Sequence, residues 1–577
     1  MLYPRPQHRR KDWQNLDGIW HYAFDEGQNP ASIRWQGDIN VPFAPEAKLS
    51  GVHDEGYHPV IWYERSFSLP QAWQNKRIIL HFGAVDYEAK VWVNGQHVIS
   101  HEGGHTPFKV DITEALKVEG DQVITVRAAD DPLDMSKPRG KQEWQEKPHA
   151  IWYPRTTGIW QTVWLEPLSP HHLSKLRLTP SLSNFSFHSI FEIAGDLSNL
   201  KNPQLDITFS HKGQTLAQDS LHVTAASLER NIQLSVNGFD DLRQYVWSPE
   251  HPNLIDIHLK LLDGETVLDE VTSYTALRSF EVRQGKFFLN NHPYYLRLAL
   301  DQGYWDDGLL TAPSSEALAE DVKLAKSMGF NGVRKHQKIE DPRYLYAADT
   351  LGLLVWEEMP SAYHFNEKAV KRLTQEWLEV IERDYNHPCI MTWVCFNESW
   401  GMPDLVHDPR QRAYISALYH LTKSLDSSRL VIGNDGWEHM ESDLFTVHDY
   451  QRDAEVLKER YGTKEGLADI ETRILEHGRL SLLQESPIRN EAIILSEFGG
   501  IRFNPHAEGW GYQQVDSAEK LLDLYARMVT SIEGAGLAGF CYTQFADTFQ
   551  EQNGLLYSNR QPKVALADLA KATRNGR

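Results

Sequence analysis

The sequence predicts a multidomain protein with a jelly-roll β-sandwich, an immunoglobulin-like β-sandwich and a C-terminal (β/α)8 TIM barrel. Three observations lead to this prediction. The chain has 577 residues, which is too long for one compact core. Short strand-like runs separated by turn residues fill its N-terminal half. After Tyr274, apolar strands alternate with amphipathic helices. We therefore expect domains at residues 1–170, 171–275 and 276–577.

The first domain is indicated by strand-like runs and a hairpin signal. The segment KRIILHFGAVDYEAKVWVNGQHVI, at 76–99, contains two such runs, and the second breaks at Asn94-Gly95. Asn-Gly between apolar runs is a strong signal for a hairpin turn. DQVITVRAAD, at 121–130, is a further run. Several short strands of this kind favour a sandwich of the jelly-roll type.

The second domain keeps the β pattern for roughly a hundred residues, which is typical of an immunoglobulin-like sandwich. Its strand-like runs are KLRLTPSL at 175–182, FEIAGDLSN at 191–199, QLDITFSHKG at 204–213 and NLIDIHLKLLDGE at 253–265.

The third domain contains eight candidate strands, and amphipathic segments lie between them. In the segment 315–328, for example, Leu318, Val322 and Ala325 share one helical face. Eight such alternations over about 300 residues fit a (β/α)8 barrel. A doubly wound sheet is the alternative, but no glycine-rich phosphate loop follows an early strand. The candidate strands are 294–300, 329–336, 352–358, 389–397, 429–433, 444–450, 492–498 and 536–544.

Composition narrows the classes of partner. The net charge of −21 argues against nucleic acid, because phosphate contacts need clusters of Lys and Arg. The three cysteines lie in apolar surroundings without disulfide or metal-ligand spacing. No apolar run reaches the ~18 residues of a membrane span. The N-terminal MLYPRPQHRRKDW has no apolar signal core, so we expect a cytoplasmic protein unless a signal has been removed.

Carboxylates follow two of the predicted barrel strands. In TWVCFNESW, at 392–400, an apolar run ends in Asn397 and Glu398, and in AIILSEFGG, at 492–500, Glu497 follows a similar run. Active sites of parallel barrels lie at these strand ends. By position, Glu398 ends strand four and Glu497 ends strand seven. Either residue alone could be a salt-bridge partner at the barrel rim.

Two carboxylates at one barrel mouth suit the cleavage of a glycoside. One carboxyl group must hold a proton for the leaving oxygen, and the other must be ionised to attack the anomeric carbon. A separation of ~5–5.5 Å gives retention of configuration, and ~6.5–9.5 Å gives inversion. The 18 tryptophans are compatible with stacking on sugar rings, and equally with large sandwich cores.

The segments FNES and SEFGG, on strands four and seven of a barrel that follows two β domains, resemble glycoside hydrolase family 2. VWVNGQ at 91–96, GIWQTVWLEP at 158–167 and LNNHPYYLR at 289–297 also resemble motifs of that family. The resemblance implies that Glu398 is the acid/base and Glu497 the nucleophile. It also implies retention through a covalent glycosyl-enzyme.

The resemblance further implies contacts around the sugar. Asn397 is expected to hydrogen-bond the 2-hydroxyl, and Arg334, at the end of strand two, to orient the nucleophile. His336, His448 and Tyr450 are expected to line the sugar pocket. For each of these residues the alternative is a structural role as a strand cap, an ion-pair partner or a packed side chain.

Strands eight and one supply the remaining candidates. Tyr542 and Gln544 lie where the family often has an aromatic floor for the sugar, with Tyr in place of the commoner Trp. Asp301 and Gln302 end strand one, where many relatives carry Asn-Arg-His. This departure predicts different contacts at that wall, and Asp301 is the candidate residue there.

Two motifs and one acidic pair are assigned no catalytic role. HEGGH, at 101–105, matches the zinc-protease pattern, but its two glycines disfavour the required helix and strands flank it. PRGKQ, at 138–142, resembles a lysine-bearing loop of some relatives that either reaches the barrel mouth or is solvated. Glu357 and Glu358, at strand three, have no partners that would make a metal site. We expect no metal and no cofactor.

These inferences favour an exo-acting retaining glycosidase of the β-galactosidase-like branch, with a carbohydrate as its partner. β-Glucuronidases of the family typically carry Asn-x-Lys near the end of the barrel, and NGLLYSNRQPK, at 553–563, lacks it. Arg or Lys from another loop could serve, so β-glucuronidase, arabinosidase and β-mannosidase activities stay open. So do a transglycosidase and a binding protein that has lost catalysis. A homo-oligomer is compatible with the resemblance.

Overall fold

The structure is a computed structural model that describes residues 3–236, 242–475, 478–483, 491–505, 508–533 and 536–575. Two β-sandwich regions precede an eight-stranded parallel barrel. The multidomain fold class predicted from the sequence is thereby confirmed, whereas the domain limits stay a prediction. No helix among the described residues is long and apolar enough to cross a membrane.

The first sandwich is built from two main antiparallel sheets of four and six strands and a two-stranded pair, β6 with β11. Ile124, Val126 and Ala128 alternate along one strand and fill its core. Asn94 and Gly95 both take positive φ, +51° and +83°, as the predicted hairpin turn requires. Its strands are β1 Gln14–Asn15, β2 Gly18–Phe24, β3 Gly37–Val41, β4 Val60–Phe67, β5 Arg77–Phe82, β6 Val85–Asp86, β7 Glu88–Val93, β8 Gln96–Glu102, β9 Phe108–Asp111, β10 Gln122–Ala129, β11 Gly158–Ile159 and β12 Val163–Leu168.

The second sandwich packs a three-stranded sheet on a four-stranded one. Leu205, Ile207 and Phe209 show the period-2 burial of a half-covered strand. Its strands are β13 His172–Ser181, β14 Ser186–Ala194, β15 Pro203–His211, β16 Gln214–His222, β17 Ser227–Gln233, β18 Ile255–Asp263 and β19 Thr266–Thr275.

A small sheet leads from the second sandwich into the barrel, whose parallel strands neighbour one another in the order 430–432, 390–394, 354–358, 332–335, 296–301, 539–543, 492–499 and 444–448. The eight barrel strands fall within or one residue beyond the predicted ranges. The linking strands are β20 Phe280–Arg283, β21 Lys286–Leu289 and β22 His292–Pro293. The barrel strands are β23 Leu296–Asp301, β24 Gly332–Lys335, β25 Leu354–Glu358, β26 Ile390–Val394, β27 Leu430–Ile432, β28 Leu444–His448, β29 Ala492–Gly499 and β32 Gly539–Thr543. Between the last two, β30 Ile501–Arg502 and β31 Gln513–Gln514 form a separate two-stranded sheet.

Helices cover the outside of the barrel and begin at polar caps. Ser314, for example, accepts a hydrogen bond from the Ala317 N–H at the start of the first helix. The helices are α1 Ser315–Ser327, α2 Pro342–Leu351, α3 Glu367–Asp384, α4 Pro409–Leu425, α5 Ala454–Tyr461, α6 Lys464–Ala468, α7 Ala518–Ile532 and α8 Leu566–Thr573.

The first sandwich contacts the barrel through buried polar groups. Arg372 on α3 is 6% exposed and binds Glu102 and, at 2.7 Å, Asp134 of the sandwich. HEGGH lies at this contact. Strand β8 ends at Glu102 and residues 103–105 form no helix, as expected, and the His105 N–H donates to Glu376 on α3. The sandwich is therefore held over one side of the barrel.

Candidate active site

Glu398 reaches the barrel mouth on a turn that follows β26. Strand β26 ends at Val394, and the next three residues stay buried. Glu398 takes a left-handed backbone, φ +52°, and its N–H donates to the Asp435 carbonyl over 2.9 Å. Glu497 lies within β29 itself. The two carboxylates thus come from strands four and seven, as the sequence predicts.

The carboxylates converge on one point. One oxygen of Glu398, one oxygen of Glu497 and a ring nitrogen of His448 lie within 4.8 Å of one another. The two carboxylates therefore border one space, as two carboxyl groups that act on the same glycosidic bond must.

Arg334 connects the residues beneath the mouth. It is fully buried on β24 and donates to Glu497 over 2.8 Å, to Asn397 over 2.6 Å and to Glu358 over 2.7 Å. Asp435 lies 2.8 Å from the same guanidinium. Burial acts to lower the pKa of Arg334, but the three neighbouring carboxylates raise it well above its ordinary value. Arg334 is therefore a fixed cation that fixes the orientation of Glu497.

Glu497 is held in the ionised form. Burial acts to raise its pKa, but the charges of His448 and Arg334, together with a hydrogen bond from Tyr450, bring it below the ordinary value. The Tyr450 hydroxyl donates to Glu497 over 2.6 Å, and its ring stacks on Tyr512 with centroids 3.5 Å apart. An ionised carboxylate in this position can act as a nucleophile.

His448 lies between the two carboxylates, and its predicted contact with the sugar stays a prediction. Its Nδ1 is 2.6 Å from Glu398 and its Nε2 is 2.8 Å from Asp435, so both ring nitrogens are engaged by protein groups. Burial acts to lower its pKa, but the charges of Glu497 and Asp435 raise it to about 10. His448 is therefore a cation that positions Glu398.

Asn397 presents its amide nitrogen to the mouth. Its Oδ1 accepts from Arg334, which fixes the orientation of the amide, and its Nδ2 is buried without a partner among the described residues. A buried donor that lacks an acceptor is costly, so this group is suited to a ligand oxygen. Its expected contact with a sugar 2-hydroxyl stays a prediction.

His336 and Gln544 lie at the edges of this cluster. His336 is buried, with Nδ1 2.9 Å from Glu358, and burial, followed by the charge of Lys141, holds its pKa well below the ordinary value. Gln544 accepts a hydrogen bond of 2.9 Å from Gln302, whose own Oε1 has no partner among the described residues. A neutral imidazole and two amides therefore form this wall.

Two predicted sugar contacts lie outside the mouth. Leu300 on β23 faces the inside of the barrel, so the next residue, Asp301, points towards the surrounding helices. There it pairs with Lys335 over 2.7 Å. Tyr542 likewise faces outwards from β32, where it packs against Tyr525 of α7 with centroids 4.9 Å apart. Both positions are corrected to structural contacts.

The sequence did not identify several residues of the site. Asp435 and Glu358 are the partners of Arg334, and Asp435 could have been found because it follows the apolar run of β27. Tyr512 and Glu551 lie on loops and carry no sequence signal. Glu551 is buried, accepts from the Tyr153 hydroxyl over 2.5 Å and lies close enough to Glu497 for that charge to help raise its pKa, after burial.

Two clusters among the described residues have donor atoms close enough to hold a metal ion. The first consists of Glu398, His448 and Glu497, and the second of Asp349, His387 and Cys389. In the first cluster, both nitrogens of His448 and both oxygens of Glu497 already contact protein groups. In the second, His387 bonds Asp349 over 2.6 Å. Neither is built as a metal site, and the expectation of no metal stays a prediction.

Family comparisons match all three regions of the chain. Residues 39–137 match "Glycosyl hydrolases family 2, sugar binding domain", residues 171–278 match "Glycosyl hydrolases family 2" and residues 280–575 match "Glycosyl hydrolases family 2, TIM barrel domain".

Individual relatives carry different names. A β-galactosidase of Thermoanaerobacter pseudethanolicus is 29% identical over 76% of this chain, and a putative β-glucuronidase of Formosa agariphila is 31% identical over 72%. The aligned regions span 57% and 50% of those proteins. Among solved structures, a β-D-glucuronidase of Dictyoglomus thermophilum has a TM-score of 0.77 at 20% identity, with 100% of this chain and 99% of that chain covered.

Proposed function

The chain belongs to glycosyl hydrolases family 2, and from this premise we propose that it is a retaining exo-glycosidase. The observation that carries the proposal is the convergence of Glu398 and Glu497 within 4.8 Å above a buried Arg334. The proposed substrate is a carbohydrate whose terminal sugar enters the barrel mouth.

In the first step, an oxygen of Glu497 attacks the anomeric carbon and the bond to the leaving oxygen breaks. Glu398 gives its proton to that oxygen, and a glycosyl ester of Glu497 forms. Arg334 and Tyr450 hold the attacking carboxylate in place, which supports reaction by pre-organisation. The Asn397 amide is positioned to donate to the 2-hydroxyl, a contact that strengthens as positive charge develops on the sugar ring.

In the second step, Glu398 takes a proton from water, and the water oxygen attacks the anomeric carbon. The ester bond breaks and Glu497 leaves as a carboxylate. Two inversions at one carbon give net retention. If a sugar replaces water, the same residues catalyse transglycosylation.

Two classes of terminal sugar are supported by different observations. A β-galactoside is favoured by the relative of that name and by the absence of Asn-x-Lys at 553–563. A β-hexuronide is favoured by the name of the other relative and by Lys141, whose Nζ lies 5.2 Å from the ring centroid of Trp400, two residues beyond Glu398.

The catalytic proposal is tested with 4-nitrophenyl β-glycosides, with NMR of the first-formed anomer. We expect the β-anomer first. Glu497→Gln should lower kcat by about 10⁵- to 10⁶-fold, as loss of a nucleophile does elsewhere. Glu398→Gln should lower it by about 10²- to 10⁴-fold. With 2,4-dinitrophenyl glycosides, whose leaving group needs no proton, Glu398→Gln should show a burst because only the second step needs the base.

Other results would contradict the proposal. Inversion of configuration would exclude a glycosyl ester. Unchanged turnover in Glu497→Gln would exclude its role as the nucleophile. Sugar binding by the folded wild-type protein without turnover of any glycoside would instead indicate a carbohydrate-binding protein.

A further inference from the structure

We propose that Lys141, which the first sandwich carries, binds the carboxylate of a terminal hexuronic acid in the barrel mouth. The inference rests on the glycosidase function proposed above and names its substrate class, a β-linked uronide. It concerns the loop at 138–142, for which the sequence left two positions open.

The loop is fixed on the barrel. The N–H groups of Arg139 and Gly140 donate to the Ser361 carbonyl over 3.1 and 3.2 Å, and the Tyr363 hydroxyl binds the Gly140 carbonyl. Gly140 has φ +61°, and a side chain there would lie 2.3 Å from the Gln337 carbonyl oxygen. Only glycine allows this approach, so the loop presents its next residue at the mouth in one place.

Lys141 is that residue. Its side chain is buried, at 5% exposure for the residue, and Nζ lies 5.2 Å from the ring centroid of Trp400, two residues beyond Glu398. Among the described residues, no ion pair within 4.0 Å and no hydrogen bond is found for Nζ, which keeps some access to solvent. A ligand carboxylate could therefore reach this ammonium and form a charge-assisted hydrogen bond with it.

The Lys141 ammonium is close to residues that interact with Glu497. After burial, the charge of Lys141 is the largest influence on the pKa of both His336 and Glu551. Each of these residues also interacts electrostatically with Glu497. Together with the 5.2 Å distance from Nζ to the Trp400 ring centroid, these interactions put Lys141 among the residues that surround the two carboxylates, and the proposal places the carboxylate of the terminal sugar beside it.

A structural role as the counter-charge of Glu551 is the competing explanation. Glu551 already accepts hydrogen bonds from Tyr153 over 2.5 Å and from Asn553 over 3.2 Å, and it makes no ion-pair contact with Lys141. With a neutral sugar the ammonium would have only the nearby charge of Glu551, without an ion-pair contact, because a sugar hydroxyl carries no charge. Lys563, the lysine of NGLLYSNRQPK, is unsuited to the role because its Nζ pairs with Asp547 over 2.6 Å.

The test compares two substrates in two enzymes. The substrates are 4-nitrophenyl β-D-glucuronide and its neutral 6-amide, and each is assayed with wild type and with Lys141→Met. The corresponding β-D-galacturonide and its 6-amide are assayed in the same way, because they have the other configuration at C4. Wild type should prefer the acid in kcat/KM by about 10- to 150-fold, the range of a hydrogen bond to a charged group. Lys141→Met should lose this preference because its kcat/KM falls for the acid and stays unchanged for the amide. Lys141→Arg should keep most of the preference.

Matched controls separate recognition from folding. Lys147 lies on the same segment and is exposed, so Lys147→Met should leave the preference unchanged. A neutral glycoside with a 4-carboxyphenyl leaving group places the anion on the opposite side, and Lys141→Met should not affect its rate. Calorimetric binding of free D-glucuronate to Glu497→Gln, with and without Lys141→Met, gives a readout without turnover.

Three outcomes would overturn the inference. One is a wild type that does not distinguish acid from amide. Another is an equal loss with both substrates in Lys141→Met, which would indicate support of Glu551. The third is a loss confined to the 4-carboxyphenyl glycoside. If no glycoside is turned over but D-glucuronate binds in a Lys141-dependent way, the proposed function fails and the carboxylate site stands.

Discussion

Removal of the Tyr450 hydroxyl should move the acid limb of the pH–rate profile upwards. As the proposed nucleophile, Glu497 must be ionised to attack, so kcat/KM should fall as the pH drops through its pKa in the free enzyme. Tyr450 donates a 2.6 Å hydrogen bond to this carboxylate and helps to hold its pKa below the ordinary value. Tyr450→Phe removes that donor, and the ring stays in place because it stacks on Tyr512.

The size of the shift follows from one charged hydrogen bond. Such a bond contributes about 1.5–3 kcal/mol, and one pKa unit corresponds to about 1.4 kcal/mol. The acid limb of Tyr450→Phe should therefore lie about one to two pH units above that of wild type. Arg334 still donates to the other oxygen of Glu497, so the carboxylate remains ionised at neutral pH.

The assay is kcat/KM against pH for wild type and Tyr450→Phe, with thermal unfolding to verify the fold. Tyr542→Phe is the control, because that phenol packs against Tyr525 and faces away from Glu497. It should leave the profile unchanged. An acid limb that stays in place in a folded Tyr450→Phe enzyme, or that moves in Tyr542→Phe, would refute the reasoning.

Three further predictions concern stability and the loop. The folded-state pKa of His448, about 10, exceeds its unfolded value near 6.5, so its contribution is complete below pH 6.5 and is lost as the pH rises through 10. Between pH 7 and 10, thermal unfolding should show a larger loss of Tm in wild type than in His448→Gln; equal losses would contradict this. Arg372→Met should lower the free energy of unfolding by about 1–3 kcal/mol through the lost contact with the sandwich, whereas the exposed neighbour Lys371→Met should change it by less than about 0.5 kcal/mol. Gly140→Ala should collide with the Gln337 carbonyl and reduce kcat/KM for uronides more than for neutral glycosides; equal rates with both would exclude a positioned loop.

The sequence predicted the barrel and its central pair because these depend on local pattern. A long apolar strand that ends in Asn397 and Glu398 has one natural position in a parallel barrel, with its polar end at the mouth. The same argument applies to Glu497 and Arg334. It would also have found Asp435, since that residue follows the short apolar run of β27.

Whether a side chain at a strand end points into the barrel or towards the helices is harder to predict from the sequence. Residues alternate between the inside of the barrel and the helices, and a shift of one position reverses the assignment. The sequence predicts Asp301 as the residue that reaches the mouth from strand one, whereas its neighbour Gln302 bonds Gln544 there and Asp301 pairs with Lys335. Tyr542 was misplaced for the same reason. Both errors lie within one residue of a correct strand end.

Loops and domain contacts carry no periodic signal. Tyr512 and Glu551 reach the mouth through loop conformations, and Lys141 reaches it only because a different domain docks on the barrel. That docking depends on Gly140 against Gln337 and on buried polar contacts such as that of Arg372. No spacing within the sequence encodes these distances.

The division of the site between domains separates chemistry from sugar choice. The barrel supplies Arg334, Glu398 and Glu497, which are proposed to act at the anomeric carbon of any sugar that fits. The cation proposed to recognise the terminal group comes from the first sandwich, so its loop can change without disturbing the buried network around Arg334. A family with one barrel and differently named activities is consistent with this arrangement. The separation also implies that loss of Lys141 changes which glycoside is cleaved before it changes how cleavage occurs.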